Sequence, residues 1–164
     1  MHFCPTTSWV SRTYGISHGV APVPTKVEAI QAWPIPNSTQ GLRGFLRFSG
    51  FYRCFIKGYA SIVAPLTRLL VKDQFQWSPE AQIAFDTLKD TIYRASVLRL
   101  PDFSQTFIVE TDASGVGMGA VLTQQNHPIA FFSKPFCNKL LHSSTYVWEL
   151  AASTTTIKKW HHYL

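Results

Sequence analysis

Two carboxylates stand in places where an acid does chemistry more readily than it does structure. Asp112 falls at the end of the apolar run TFIVETDAS, directly before a glycine-rich turn. Glu149 lies near the start of the last helical stretch, between Trp148 and Leu150. A carboxylate at a strand end, beside one from a packing helix, could hold a hard divalent cation. Mg²⁺ prefers one or two carboxylates, several waters and a substrate phosphate. A pair of such ions can clamp the attacking and leaving oxygens of a phosphodiester. On spacing alone the plainer alternative stays open: Asp112 caps a turn and Glu149 is a solvated helix residue.

A second group is cationic. Arg43, Arg47, Arg53 and Lys57 recur through TQGLRGFLRFSGFYRCFIKGY. At helical spacing they share one face, opposite Phe45, Phe48, Phe51, Tyr52, Phe55 and Ile56. Point charges on such a face suit phosphate contacts. Simple solvation of a helix whose aromatic side packs is the alternative.

Charge distribution agrees with this division. Residues 1–72 carry eight Lys/Arg against one acid, Glu28, whereas residues 73–164 carry seven against eight acids. A polyanion partner for the first half and functional carboxylates in the second would explain the asymmetry. Cys4, Cys54 and Cys137 are odd in number and lack metal-ligand or C-x-x-C spacing, so neither zinc nor a disulfide framework is indicated. No basic, then apolar, leader opens the chain, and an intracellular location is expected. The charge-free stretch from Asp112 to Lys134 contains Gln124, Gln125, Asn126, His127 and Pro128, which excludes it as a membrane span.

The elements that must position these residues follow from local signals. Residues 1–24 lack a period and read as poorly organised. A short helix is expected from Thr25 to Trp33, with Thr25 as N-cap and Glu28 completing a capping box, stopped by Pro34 and Pro36. Ser38 or Thr39 starts the long basic–aromatic helix, weakened at Gly44 and Gly50. A third helix carries Ile62, Leu66, Leu69 and Leu70. Ser78-Pro79-Glu80 opens a fourth, whose core face reads as Ile83, Leu88 and Ile92 with Phe85 beside it. After Pro101 the pattern turns to strands: TFIVETDAS, GMGAVLTQQ and HPIAFFSK form an antiparallel meander. The segment after Ser143 returns to helix and packs on one face of that sheet, although Thr154, Thr155 and Thr156 weaken its middle. The fold class is therefore α/β in the broad sense (α+β). It divides into an N-terminal segment 1–24, a helical region 25–95 and a strand–helix region 96–164.

KVEAIQAWPIP, LRGFLRFSGFYRCFIKGYASIVAPLTRLL, FQWSPEAQIAFDTLKD, VLRLPDF, FIVETDASGVGMGAVLTQ, HPIAFFSK and STYVWEL…IKKWHHYL follow one another in unbroken order. Together they resemble the polyprotein of gypsy-type LTR retrotransposons, where reverse transcriptase ends and RNase H begins. The resemblance covers roughly residues 15–164. It implies a thumb- or connection-like helical region, then the N-terminal part of an RNase H-like fold. The aspartate of the ETDAS strand and the glutamate of the Y-x-x-E-L helix belong to that family's acidic metal-binding set. These map onto Asp112 and Glu149, with Mg²⁺ or Mn²⁺ as the implied cofactor. The implied activity is endonucleolytic cleavage of RNA in RNA–DNA hybrids, alongside RNA-directed DNA synthesis. Nucleic acid is the implied partner, with Arg43, Arg47, Arg53 and Lys57 on its backbone, and the remainder of the polyprotein a further one.

The sequence also departs from the family. Further RNase H acids belong to elements after Leu164, and no paired-Asp polymerase motif is present, so the isolated chain is expected to be inactive. Residues 1–14 do not match the strand expected before GISHGV. Val23, Arg47 and Cys54 replace an acid, a glycine and a basic residue, and Ser153–Thr156 replace an apolar helix core, which predicts weaker docking of the Glu149 helix. A non-catalytic nucleic-acid-binding module and an inert retroelement relic are the competing readings.

Overall fold

The computed structural model describes residues 13–16, 19–71 and 75–164. Its elements run β1 (Thr13–Ile16), β2 (Gly19–Pro22), α1 (Pro24–Gln31) and α2 (Thr39–Ser49). A 3-10 helix (Gly50–Phe55), α3 (Tyr59–Leu69) and α4 (Pro79–Tyr93) come next. Then follow β3 (Ile108–Ser114), β4 (Gly117–Gln124), β5 (His127–Pro135), α5 (Asn138–Leu141) and α6 (Thr145–Trp160).

The N-terminal segment differs from the sequence expectation. Its described residues form an antiparallel hairpin of β1 and β2, and Thr13 and Tyr14 already belong to it. The expectation for residues 1–12 lies outside the described residues. The hairpin is anchored by backbone pairing, to which side-chain periodicity is blind. Val20 N donates to Leu98 O at 2.7 Å, and Leu98 N returns a bond to Val20 O at 2.9 Å. Gly19 permits the approach: a Cβ there would sit 2.3 Å from Leu98 O.

Helix α1 begins one residue earlier than expected. Pro24, whose fixed φ suits the first helical position, takes that place. Val23 becomes the N-cap without a side-chain bond, so the Thr25–Glu28 capping box does not form. Ser38 does cap α2, its hydroxyl accepting from Gly41 N at 3.2 Å. The single long helix expected here is broken. At Gly50 the chain tightens into the 3-10 helix, and Gly58, at φ 68°, re-aims it into α3. Glycine is a poor helix former and tolerates positive φ, which lets both changes occur. The altered phase turns Tyr52, Cys54, Phe55 and Ile56 inward. Ser78 caps α4 as expected, accepting from Ala81 N at 3.2 Å. Its buried stripe is Ala81, Ala84, Phe85, Leu88 and Ile92. Ile83 was expected on that face but is 67% exposed, because it lies two residues out of phase with Phe85.

These helices share one core, in which the Phe45 and Phe85 rings meet at a tilt with centroids 4.5 Å apart and Trp77 meets Phe85 edge-on at 5.7 Å. The sheet is the expected meander, antiparallel in the order β3-β4-β5. Positive φ at both Gln125 and Asn126 gives the two-residue turn its twist. The buried Gln124 side chain bonds Asp102 N and O and Gln105 O, tying the preceding linker to the sheet.

Strand alternation gives the sheet two different faces. Val109 and Ala113 pack in clusters with Trp160 and Trp148 of α6. The other face meets the helical region, where Ala60 N at the start of α3 donates to Ser133 Oγ at 2.9 Å. Helix α6 runs unbroken through its threonines, docked by Ala152 and Trp160. Thr156 is fully buried, and its hydroxyl has no hydrogen-bond partner. No helix among the described residues is long and apolar enough to cross a membrane.

Candidate metal and nucleic-acid site

Asp112 sits near the end of β3, the outer strand of the meander among the described residues. Its side chain is exposed. Alternation separates it from Thr111 and Ala113 and sets it with Glu110 and Ser114 in a groove of about 310 Å³. The facing residue in β4 is Gly119, where a Cβ would meet nothing within 4 Å. Open space therefore adjoins the carboxylate on the sheet side. Lys57, Gly58 and Ser61, from the turn into α3, supply the other wall. The groove thus juxtaposes two acids and one lysine, with serine hydroxyls between them.

Glu149 is exposed in the first turns of α6 and does not line this groove. Four residues on, Ser153 Oγ lies 3.4 Å from Thr111 Oγ1. Residues four apart share a helix stripe, so Glu149 and Ser153 lie along the same side of β3. Around Glu149 the helix is held by Trp148, which stacks on Phe136 at 6.1 Å and donates its indole N–H to Leu140 O. Among the described residues, no group of three or more His, Cys, Asp or Glu could hold a metal ion.

The four cations do not share one helix, because the chain changes form at Gly50. Arg43 and Arg47 are exposed one turn apart on α2. Arg53, in the 3-10 helix, lines a different cavity beside Cys54 and Arg99. Its charge also acts on Tyr59, whose phenol is pushed up by burial and drawn back by Ser49 and Arg53. Lys57 stands in the acid groove. Sequence reasoning missed Glu110 as a groove residue. Its position two before Asp112 in a strand was the available signal, since residues i and i+2 share a face. The approach of Lys57 to that face carried no local signal at all.

Residues 77–164 match the family described as an RNase H-like domain found in reverse transcriptase. The retrovirus-related Pol polyprotein from transposon 297 of Drosophila melanogaster is 40% identical over 148 residues, covering 89% of this chain and 14% of that polyprotein. The transposon Tf2-3 polyprotein of Schizosaccharomyces pombe is 33% identical over 158 residues, covering 92% of this chain and 12% of the polyprotein. The chain therefore spans a small part of the curated relatives it matches. Among solved structures, the foamy viral protease-reverse transcriptase in complex with RNA/DNA hybrid superposes with a TM-score of 0.81. That match has 19% identity and covers 90% of this chain and 22% of that one. The dRH form in complex with ds DNA gives 0.83 at 19% identity, covering 92% and 28%. At that identity the likeness is one of fold, a mixed arrangement of helices and a three-stranded antiparallel sheet. On its family match, which takes in more than half its residues, this chain belongs to the RNase H-like domains found in reverse transcriptase, of the kind carried by retrotransposon Pol polyproteins.

Proposed function

We propose that this chain is the part of a retroelement reverse transcriptase–RNase H that grips an RNA–DNA hybrid and presents Asp112 to it. Residues 25–95 serve as a thumb-like helical arm and residues 96–164 as the RNase H-like body. The observation that carries this reading is the placement of Asp112. It is an exposed carboxylate near the end of an outer strand, facing a glycine, in a groove whose opposite wall holds a lysine. Nucleases of this fold class generally work with divalent metal. Such an ion would neutralise phosphate charge and lower the pKa of a bound water. Asp112 and Glu149 are the residues proposed to hold it. Arg43, Arg47 and Lys57 are proposed to meet the backbone phosphates.

Two carboxylates hold Mg²⁺ weakly, largely through its waters, and they do not fix a second ion. That ligand count underlies the proposal of binding without useful turnover by the isolated chain. Positioning of reacting atoms contributes about 7–11 kcal/mol to catalysis, and the chain would lack most of it. The test is a labelled RNA–DNA hybrid incubated with the purified chain and Mn²⁺, read for binding and for cleavage. Binding without cleavage above background is expected, with Mn²⁺ relaxation broadening at both Asp112 and Glu149. Cleavage abolished by Asp112→Asn would show that two acids suffice. Broadening at neither residue would remove the metal site.

A further inference from the structure

A second cavity, of about 280 Å³, opens where separate parts of the chain converge. Val20 of β2, Leu98 of the linker and Phe131 of β5, which pack with the helical core, line it together with Ile129 of β5 and Trp160 of α6. These walls are apolar. Each polar group of full charge on the rim is a cation: Arg53, Arg99 and Lys159, with no carboxylate among the described lining residues.

The three cations differ in exposure and partners: Arg53 is exposed, and the charge of Arg99 also acts on the nearby Asp102 carboxylate. Lys159 is half-buried, and no ion pair reaches it among the described residues. Arg99 spends one N–H on Gln125 Oε1 at 2.8 Å, while a guanidinium carries five. Three cations gathered at an apolar cavity, with no carboxylate in its described lining, favour an anionic ligand. Apolar walls with a few convergent charged groups are the usual make-up of a small-molecule site. The volume admits a small ring system but not a nucleic-acid duplex.

We propose that this cavity binds a small aromatic monoanion, its rings against Ile129, Phe131 and Trp160 and its carboxylate or sulfonate paired with Lys159 and Arg99. Among the described residues the site touches the Asp112 groove only at Ser133, and it stands independently of the function proposed above. Arg53 belongs to the helical region, whereas Ile129 and Lys159 belong to the sheet region, so the ligand braces one against the other.

The probe is 8-anilinonaphthalene-1-sulfonate, titrated into the full chain under native conditions and followed by fluorescence and thermal melting. One saturable site is expected, with Kd on the order of tens of micromolar and a raised Tm. Lys159→Glu should weaken it by about tenfold or more, Lys159→Gln by less, and Lys159→Arg little. Lys158→Glu, on the exposed neighbour, should leave it unchanged. N-phenyl-1-naphthylamine, which keeps the rings without the sulfonate, should bind more weakly. A saturating RNA–DNA hybrid should not displace the probe. Many weak sites, indifference to Lys159→Glu in a protein that still melts cooperatively, or equal affinity for the neutral probe would each overturn the proposal. Displacement by the hybrid would overturn the separateness of the site.

Discussion

The hydroxyl of Thr111 in β3 lies 3.4 Å from the hydroxyl of Ser153 in α6. That contact sets the register of the helix on the strand. It lays the side of α6 that carries Glu149 along β3, one residue from Asp112 in the chain. Both carboxylates are exposed, so neither is held by the fold. Asp112→Asn and Glu149→Gln should each leave stability within about 0.5 kcal/mol while weakening Mn²⁺ binding. Thermal melting and metal titration of the two variants would separate a ligand's role from a structural one. A large loss of Tm without loss of metal affinity would count against the metal role.

Arg43 and Arg47 stand one turn apart on the solvent side of α2. Reversal of both to Glu should weaken binding to an RNA–DNA hybrid and flatten its dependence on salt. Each lost phosphate contact removes about one from the slope of log K against log salt. Fluorescence anisotropy between 50 and 200 mM salt, roughly the span over which counterion release shows clearly, measures both. An unchanged slope would place the nucleic acid elsewhere.

Thr156 is buried with an unpartnered hydroxyl. Valine keeps its shape and removes the unsatisfied group. Because desolvating such a group costs about 1–3 kcal/mol, Thr156→Val should stabilise the chain by about 1 kcal/mol. In a chain of this size that is a rise of about 3 °C in Tm. Thr154→Val should not stabilise, since the Thr154 hydroxyl already bonds Leu150 O at 2.7 Å.

Gly117 and Gly119 lie on the same strand and should respond in opposite ways. A Cβ at Gly117 would stand 2.6 Å from Lys134 O, a backbone atom that cannot yield without opening the β4–β5 pairing. Gly117→Ala should cost about 1–3 kcal/mol by overpacking. Gly119 has open space, and Gly119→Ala should be near neutral in chemical denaturation. Equal effects at the two positions would mean that the register of β4 on β5 is not as described.

Asp102 accepts from the Ser104 hydroxyl at 2.7 Å, from Ser104 N at 3.0 Å and from Gln105 Nε2 at 2.7 Å. The Ser104 bonds chiefly hold its carboxyl below the ordinary aspartate range. A folded pKa below the unfolded one gives a contribution that is complete above the unfolded value. That contribution is lost as pH falls through the folded one. Side-chain NMR titration should place the Asp102 midpoint below that of unfolded chain, and Asp102→Asn should remove this part of the acid sensitivity.

The legible parts of the fold were those written in local chemistry. Ser78-Pro79-Glu80 announced α4, Ser38 announced α2, and the β-rich runs before and after Gly117 announced the meander. Asp112 stood out for the same reason, as an acid ending an apolar strand. The illegible parts depend on partners distant in sequence. Nothing near Val20 signals Leu98, and nothing near Lys57 signals the Asp112 groove. The break at Gly50 was visible as a weak residue but not as a change of helix type, because propensity reports cost and not what replaces the helix. Ile83 was misplaced by reading apolarity without phase.

The mutual bonds between Val20 and Leu98 close a loop containing the entire helical region. Contacts of such long range form late, after the entropy of joining the loop ends has been overcome. During synthesis β2 leaves the ribosome long before Leu98 does, so its outer backbone groups wait in water until α4 is complete. The hairpin therefore works as a latch that reports the helical region as finished. Hydrogen exchange at Val20 N should follow the global unfolding of that region and not the fraying of a terminal hairpin.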